Sequence, residues 1–127
     1  MNESQHHMDL LQGISDQFQD ILATSGQSIY IYLDDFHKVC NERFASLLGY
    51  ASADDWSQAK GSFTQLFVDV GSQATLVDAY NCAMDRKVGS AFKIGWKNKT
   101  GGVIETSVIL VPVSYDGHLF ALHYIDG

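Results

Sequence analysis

The sequence predicts an α+β fold, an antiparallel sheet with helices gathered on one face. Two observations carry this. Stretches with a period of two come in hairpin-linked groups, two near the N-terminus and three at the C-terminus, instead of alternating singly with helices. No repeat or linker interrupts the 127 residues, so one domain with its own core is expected.

Residues 4 to 25 read as a helix, because Leu11, Ile14, Phe18 and Ile21 recur at helical spacing and Leu10 and Leu22 widen the stripe. Gly13 costs about 1 kcal/mol against alanine in mid-helix. So short a helix is marginal alone in water and must lie on its own domain or on a partner chain. Ser25-Gly26 ends it. SIYIYLDD then reads as a strand, Asp34-Asp35 as a tight turn and HKVC as the returning strand. In VCNERFASLLGY, Asn41 is placed to cap a helix and Glu42 to complement its dipole. Phe44, Leu47 and Leu48 share one face, and Gly49 suits a left-handed stop. Residues 51 to 71 are polar with short elements, ASADDW and FTQLFVDV, and Asp54-Asp55 looks like a helix start.

Ser72 is placed to cap the helix SQATLVDAYNCAMDR. Leu76, Ala79, Tyr80 and Ala83 point one way, with Asp78, Asn81 and Asp85 away. Three strands follow: SAFKIGWKN, GVIETSVILVPV and HLFALHYID, joined by turns at Thr100-Gly101-Gly102 and Tyr115-Asp116-Gly117. In the middle one, Ile104, Thr106, Val108 and Leu110 share a face opposite Glu105 and Ser107. From Val108 to Val111 both faces are apolar, which a sheet with one wet face does not show. Ile109 and Val111 are therefore expected to be covered on the outer side by the N-terminal helix, alone or with its copy from a second subunit.

A formal charge of −7 argues against nucleic acid. The nearest thing to a basic patch, Lys93, Lys97 and Lys99, fits a solvated strand face. Cys40 and Cys82 lack metal or redox spacing and read as buried structural thiols. No apolar run approaches the roughly 18 residues of a membrane span, and MNESQHHMDL has no signal-peptide pattern. A cytoplasmic location is expected.

The ordered set of strand, turn, strand, CNERFASLLGY, helices and a three-strand meander resembles the PAS domain. KNKTGG is similar to its turn between the third and fourth strands, and VPVSYDGHLFALHYID to its closing hairpin, with Asp126 where a linker aspartate stands. The resemblance implies a five-stranded antiparallel sheet of order 2-1-5-4-3. Residues 1-26 would be a flanking dimerisation helix and 27-127 the PAS domain. It further implies a sensor of a cytosolic signalling protein such as a histidine kinase. That sensor would bind a small ligand or relay a signal through homodimer contacts to an output domain. The alternative is a module that only pairs chains. The chain stops where a linker would begin, so an excised sensor domain is expected.

Flavin-binding light sensors of this family carry a cysteine after the asparagine. Here Glu42 follows Asn41 and Cys40 precedes it, so the cysteine-adduct flavin type is disfavoured. Haem-binding relatives use a histidine on the long helix. Residues 72 to 86 contain none, and Cys82 lies on that helix's flank, which disfavours haem as well. The cofactor stays open. His6, His7, His37, His118 and His123 share no helical spacing that builds a metal site. His37 and His118 fall in turns and are expected to be solvated. His123 is expected to meet the outer helix, with Phe120, Leu122 and Tyr124 inward. Two small residues, Ala79 and Ala83, face a row of Phe92, Ile94 and Trp96. Either the aromatics fill that space, or a pocket lies there with Leu76, and Tyr30, Tyr32 or Tyr80 orients a ligand. Leu11, Ile14, Phe18, Ile21, Ile109 and Val111 are the candidate dimer surface. No catalytic constellation is expected, since Asp34 and Asp35 point apart and Gly101-Gly102 joins two strands.

Overall fold

The computed structural model describes residues 3–126, with side chains from residue 5 onward. Residues 1–2 and 127, the outer ends of the two expected units, lie outside the described residues. Five strands, β1 (Ser28–Asp34), β2 (His37–Cys40), β3 (Ser90–Lys97), β4 (Val103–Tyr115) and β5 (His118–Asp126), form one antiparallel sheet of order β2-β1-β5-β4-β3. The expected layout holds. At the β4–β5 turn Asp116 and Gly117 both take positive φ, 49° and 79°, which matches the twist of the strands they join.

Helices α3 (Glu42–Leu47), α4 (Ala53–Ser57), α5 (Phe63–Phe67) and α6 (Gln73–Arg86) cover the inner face. Asn41 explains how a strand turns so abruptly into α3. Its Oδ1 accepts from Phe44 N (3.0 Å), the cap, and also from Ile29 N (3.1 Å) at the start of β1, while Nδ2 donates to Gln27 O (3.0 Å). One buried amide thus ties α3 to both strands of the first hairpin. Gly49, at φ 83°, lets the chain reverse so that Tyr50 N reaches Ala45 O at 2.8 Å. Ser72 does not cap α6. It is the last residue of a 3₁₀ turn (Val70–Ser72), with helical backbone, and its Oγ accepts from Gly95 N (2.9 Å), latching the helix to β3.

The N-terminal segment forms α1 (Glu3–Gln17) and α2 (Gln19–Thr24), one expected helix bent at Phe18, across which Phe18 N–Ile14 O and Leu22 N–Phe18 O bonds continue. Leu10 and Ile14 are buried against Ile29, Ile31, Phe120 and Leu122, with Leu11, Phe18, Leu22 and Val111 at the margin. Each buried aliphatic side chain is worth about 1.5–3 kcal/mol. Ile14, expected as a pairing residue, is therefore enclosed within its own chain. Ile21 remains 42% and Ile109 50% exposed, so the helix covers the β1–β5 side and leaves the β3–β4 side bare. The expected covering of Ile109 does not occur within one chain; Val111 is half-covered.

Phe120, Leu122 and Tyr124 face the back and Ala121, His123 and Ile125 face inward, the reverse of the expectation. Both sets are apolar on a strand covered on both sides, so alternation carries no sign. The register with β1, where Tyr30 lies opposite His123, sets it. Cys40 is buried, but Cys82 is exposed, because its position on α6 lies off the packed face. Lys93 and Lys97 alternate with the inward Ile94 and Trp96 on β3, where Lys93 is exposed and Lys97 donates to Gln65 O (2.8 Å), whereas Lys99 lies in the turn that follows. No helix among the described residues is long and apolar enough to cross a membrane.

Candidate functional site

A cavity of about 190 Å³ opens between the sheet, α5 and α6, lined by Tyr30, Tyr32, Asp35, Ser62, Phe63, Thr64, Leu76, Val77, Tyr80 and His123. Its walls are built by local chemistry. The Asp35 carboxylate turns inward from the β1–β2 turn, where Oδ1 accepts from the Tyr32 hydroxyl (2.8 Å) and from Phe63 N at the start of α5 (3.2 Å). The Tyr80 ring meets Tyr32 edge-on at 5.3 Å. Burial, then the hydrogen bond to Asp35, raises the Tyr32 phenol, and burial beside Asp34 and Asp35 raises Tyr80, so both stay protonated donors.

Two polar groups distinguish this cavity from a packing flaw. His123 stacks on Tyr30 with ring centroids 4.0 Å apart and an 11° interplanar angle. Its Nδ1 lies 3.1 Å from Ala121 O, and a carbonyl can only accept, so that contact assigns the proton to Nδ1 and leaves Nε2 a lone pair. Burial pushes the imidazole down to about 3 against the opposing Ala121 bond, which keeps the ring neutral. The Tyr30 hydroxyl is buried without a hydrogen-bond partner, as is Trp56 Nε1. A buried donor left unmade costs about 1–3 kcal/mol. Burial also raises Tyr30 well above the ordinary phenol.

No protein-family model and no curated protein sequence matches the chain. Solved structures do. A PAS domain from a two-component sensor histidine kinase superposes with a TM-score of 0.67 at 12% identity, over 91% of this chain and 97% of that one. The PAS domain of an HTR-like protein from Haloarcula marismortui gives 0.61 at 19%, over 96% and 98%. A domain of the sensory box sensor histidine kinase/response regulator from Geobacter sulfurreducens gives 0.65 at 14%, over 92% and 96%. The chain has the PAS fold.

Within this PAS fold, four of the nine expected pocket residues, Tyr30, Tyr32, Leu76 and Tyr80, line the cavity. The rest do not. Ala83 is buried against Leu110 and Ala121, with Ala79 and Phe92 packed around it. Ile94 and Trp96 belong to the aromatic core, where Trp96 Nε1 donates to Thr106 Oγ1 at 2.8 Å. Small residues let helix and sheet close together there, and the gap opens nearer the start of α6. Asp35, Ser62, Phe63, Thr64, Val77 and His123 were not foreseen; pairing β1 with β5 would have found His123 opposite Tyr30.

Lys38 was also missed. It is buried beneath the PAS core with Nζ donating to Asp35 O (2.9 Å), Ala59 O (3.1 Å) and Ser57 O (3.4 Å), over the rings of Trp56 and Phe67. Burial lowers its amine against the raising charges of Asp35 and Asp34. Each of His37 and His118 begins a strand; His37 is buried against Asp34, while His118 stays half-exposed beside the β4–β5 turn. His37 stands with His7 and Asp34 in a group whose donor atoms converge. Tertiary folding brings together what helical spacing did not.

Proposed function

We propose that this PAS domain is a sensor module that binds a small, neutral or cationic amphipathic molecule in the cavity. The observation that carries the reading is the unpartnered Tyr30 hydroxyl and the neutral His123 stacked on its ring, in a wall of rings and aliphatics whose other polar residues are Asp35, Ser62 and Thr64. A bound carbonyl or hydroxyl accepting from Tyr30 would remove an uncompensated donor. At about 190 Å³ the space is smaller than the roughly 300–1,000 Å³ of drug-sized sites, favouring a compact ligand. No Lys or Arg lines it and Asp35 does, which disfavours anions. The sensor histidine kinases among the structural neighbours support a place in signal relay. In this reading β1 and β5, which present Tyr30 and His123 inward and seat α1 on their backs, carry the response to the N-terminal helix and to the exit after Asp126.

Tyr30→Phe tests this with two opposite signs. Removing an unsatisfied hydroxyl should stabilise the ligand-free protein by about 1 kcal/mol. It should also reduce the thermal shift produced by any small amphipathic compound that binds wild type. A destabilised Tyr30→Phe, with no compound retained by wild type in native mass spectrometry, would overturn the proposal.

Pairing of chains is the second reading, favoured by the bare back of β3 and β4. There Ile109, 50% exposed, lies opposite Ala91 and Tyr124, and Ile21 is 42% exposed. Sedimentation of wild type as a dimer, with Ile109→Lys a monomer, would support it; identical profiles would exclude that face.

A further inference from the structure

Four of the chain's five histidines gather where the start of α1 meets the β1–β2 and β4–β5 turns. Asp34 lies between two of them, with Oδ2 2.9 Å from His7 Nδ1 and Oδ1 2.6 Å from His37 Nδ1. His7 comes from α1, while Asp34 and His37 flank the β1–β2 turn. One donor atom from each residue lies within 4.8 Å of the other two. The His118 ring, at the start of β5, stands 6.3 Å from His7 and 5.2 Å from His6.

We propose that His7, Asp34 and His37 bind one divalent transition-metal ion of the zinc class, with water completing its coordination. Two imidazoles and a carboxylate are the donor set of zinc, nickel or copper, whereas calcium and magnesium take oxygen. Ligand atoms on an ion with bonds of about 2.0–2.2 Å stand roughly 3.3 Å apart. The 2.6 and 2.9 Å contacts to Asp34 need open by less than about an ångström to admit it. Ring centroids of two histidines sharing such an ion stand about 5 Å apart, and His7 and His37 are at 5.4 Å. Side-chain exposures of 21% for His7, 10% for His37 and 37% for Asp34 leave an entry path to a shielded site. The ion ties α1 to the hairpin whose next residue, Asp35, forms part of the cavity wall. The site stands independently of whether the cavity holds a ligand.

The test uses the untagged full chain, stripped with chelator and titrated with Co²⁺ and then Zn²⁺. One equivalent of Co²⁺ should give the visible absorption of a low-coordinate site, and Zn²⁺ should bleach it and raise Tm. His7→Gln, near the start of α1 with a side chain 21% exposed, should weaken binding at least tenfold, and His37→Gln likewise. Cys82→Ser, which removes the exposed thiol, should leave binding unchanged. Circular dichroism of each metal-free variant checks the fold. Absence of one-equivalent binding to wild type would overturn the proposal. So would binding that survives His7→Gln, including stoichiometries above one, which mark adsorption to the acidic surface.

Discussion

On the inner face, short helices press Tyr30, Phe44, Trp56, Phe63, Phe67 and Trp96 against the sheet, many of them edge to face, as Phe44 meets Trp56 and Trp96 at 5.3 Å and 85°. On the back, one helix lays Leu10 and Ile14 over Ile29, Ile31, Phe120 and Leu122. Flat rings in edge-on contact fix geometry but tile space poorly, whereas branched aliphatics fill it. The inner face accordingly holds a void, two orphaned donors, a buried amine and a buried imidazole. The aliphatic core around Leu10 and Ile14 holds none of these, and the back's polar groups, His7, Asp34 and His37, gather at its rim. A seal needs only area; a site needs positioned polar atoms, which the inner face carries within its core and the back only at the rim where α1 meets the β1–β2 turn.

The largest test of the inner face is Asn41→Ala. It strands the N–H groups of Ile29 and Phe44 and the carbonyl of Gln27. At about 1 kcal/mol or more per buried hydrogen bond, the expected loss is about 3 kcal/mol in urea denaturation. A loss under about 1 kcal/mol would mean that ring packing alone holds the helical side, and the contrast between faces would need another basis.

Lys38→Met comes next. It keeps the stem's bulk over Trp56 and Phe67 but leaves the carbonyls of Asp35, Ser57 and Ala59 without their shared donor. The expected cost is about 2 kcal/mol. An equal or more stable variant would show that water replaces the amine and reaches the carbonyls of Asp35, Ser57 and Ala59 through a wet channel.

His123 gives the inner face a pH dependence of its own. Its folded pKa of about 3 lies below the unfolded value near 6.5, so the unfolded chain binds more protons between them. Stability is complete above about pH 6.5 and falls as pH drops toward 3, at roughly 1.4 kcal/mol per pH unit, or about 2 kcal/mol by pH 5. His123→Phe should flatten this slope by one proton, read as the difference in denaturation midpoint between pH 5 and 7. Equal slopes would mean that water reaches the ring through the cavity.

Particular residues show why the fold was legible and much of the site was not. The Asn41 cap and the turns at Gly49 and Asp116-Gly117 act within a few residues, so local sequence carries their meaning. Sheet order came from the resemblance. His123 faces the cavity because β5 pairs with β1 ninety or so residues earlier, a register that alternation cannot sign when both faces are apolar. Lys38 looked like an ordinary strand lysine, since its acceptors, Ser57 O and Ala59 O, are backbone atoms with no side-chain signature. His7 and His37 lie thirty residues apart and meet only because α1 folds onto the hairpin. Ala79 and Ala83 were read correctly as facing the sheet, but two small residues permit either a gap or a close approach, and only the partner side decides.

The smallest effect probes the back. Gly13 sits in mid-helix, where alanine would gain about 1 kcal/mol of helix propensity. A Cβ there would overlap the Tyr115 hydroxyl and crowd its ring, which packs edge-on to Phe120 at 6.3 Å. Because the obstruction is the far end of a side chain, the ring can move, and the expected net result is a loss of about 1 kcal/mol. In a Tyr115→Ala background the same substitution should become stabilising, by up to about 1 kcal/mol. That reversal of sign separates close seating of α1 on the end of β4 from a general intolerance of the helix. If Gly13→Ala stabilises the wild-type background, Tyr115 yields without cost. The back face would then be held by Leu10 and Ile14 alone, leaving its covering helix free to lift as a unit when the other side of the sheet responds.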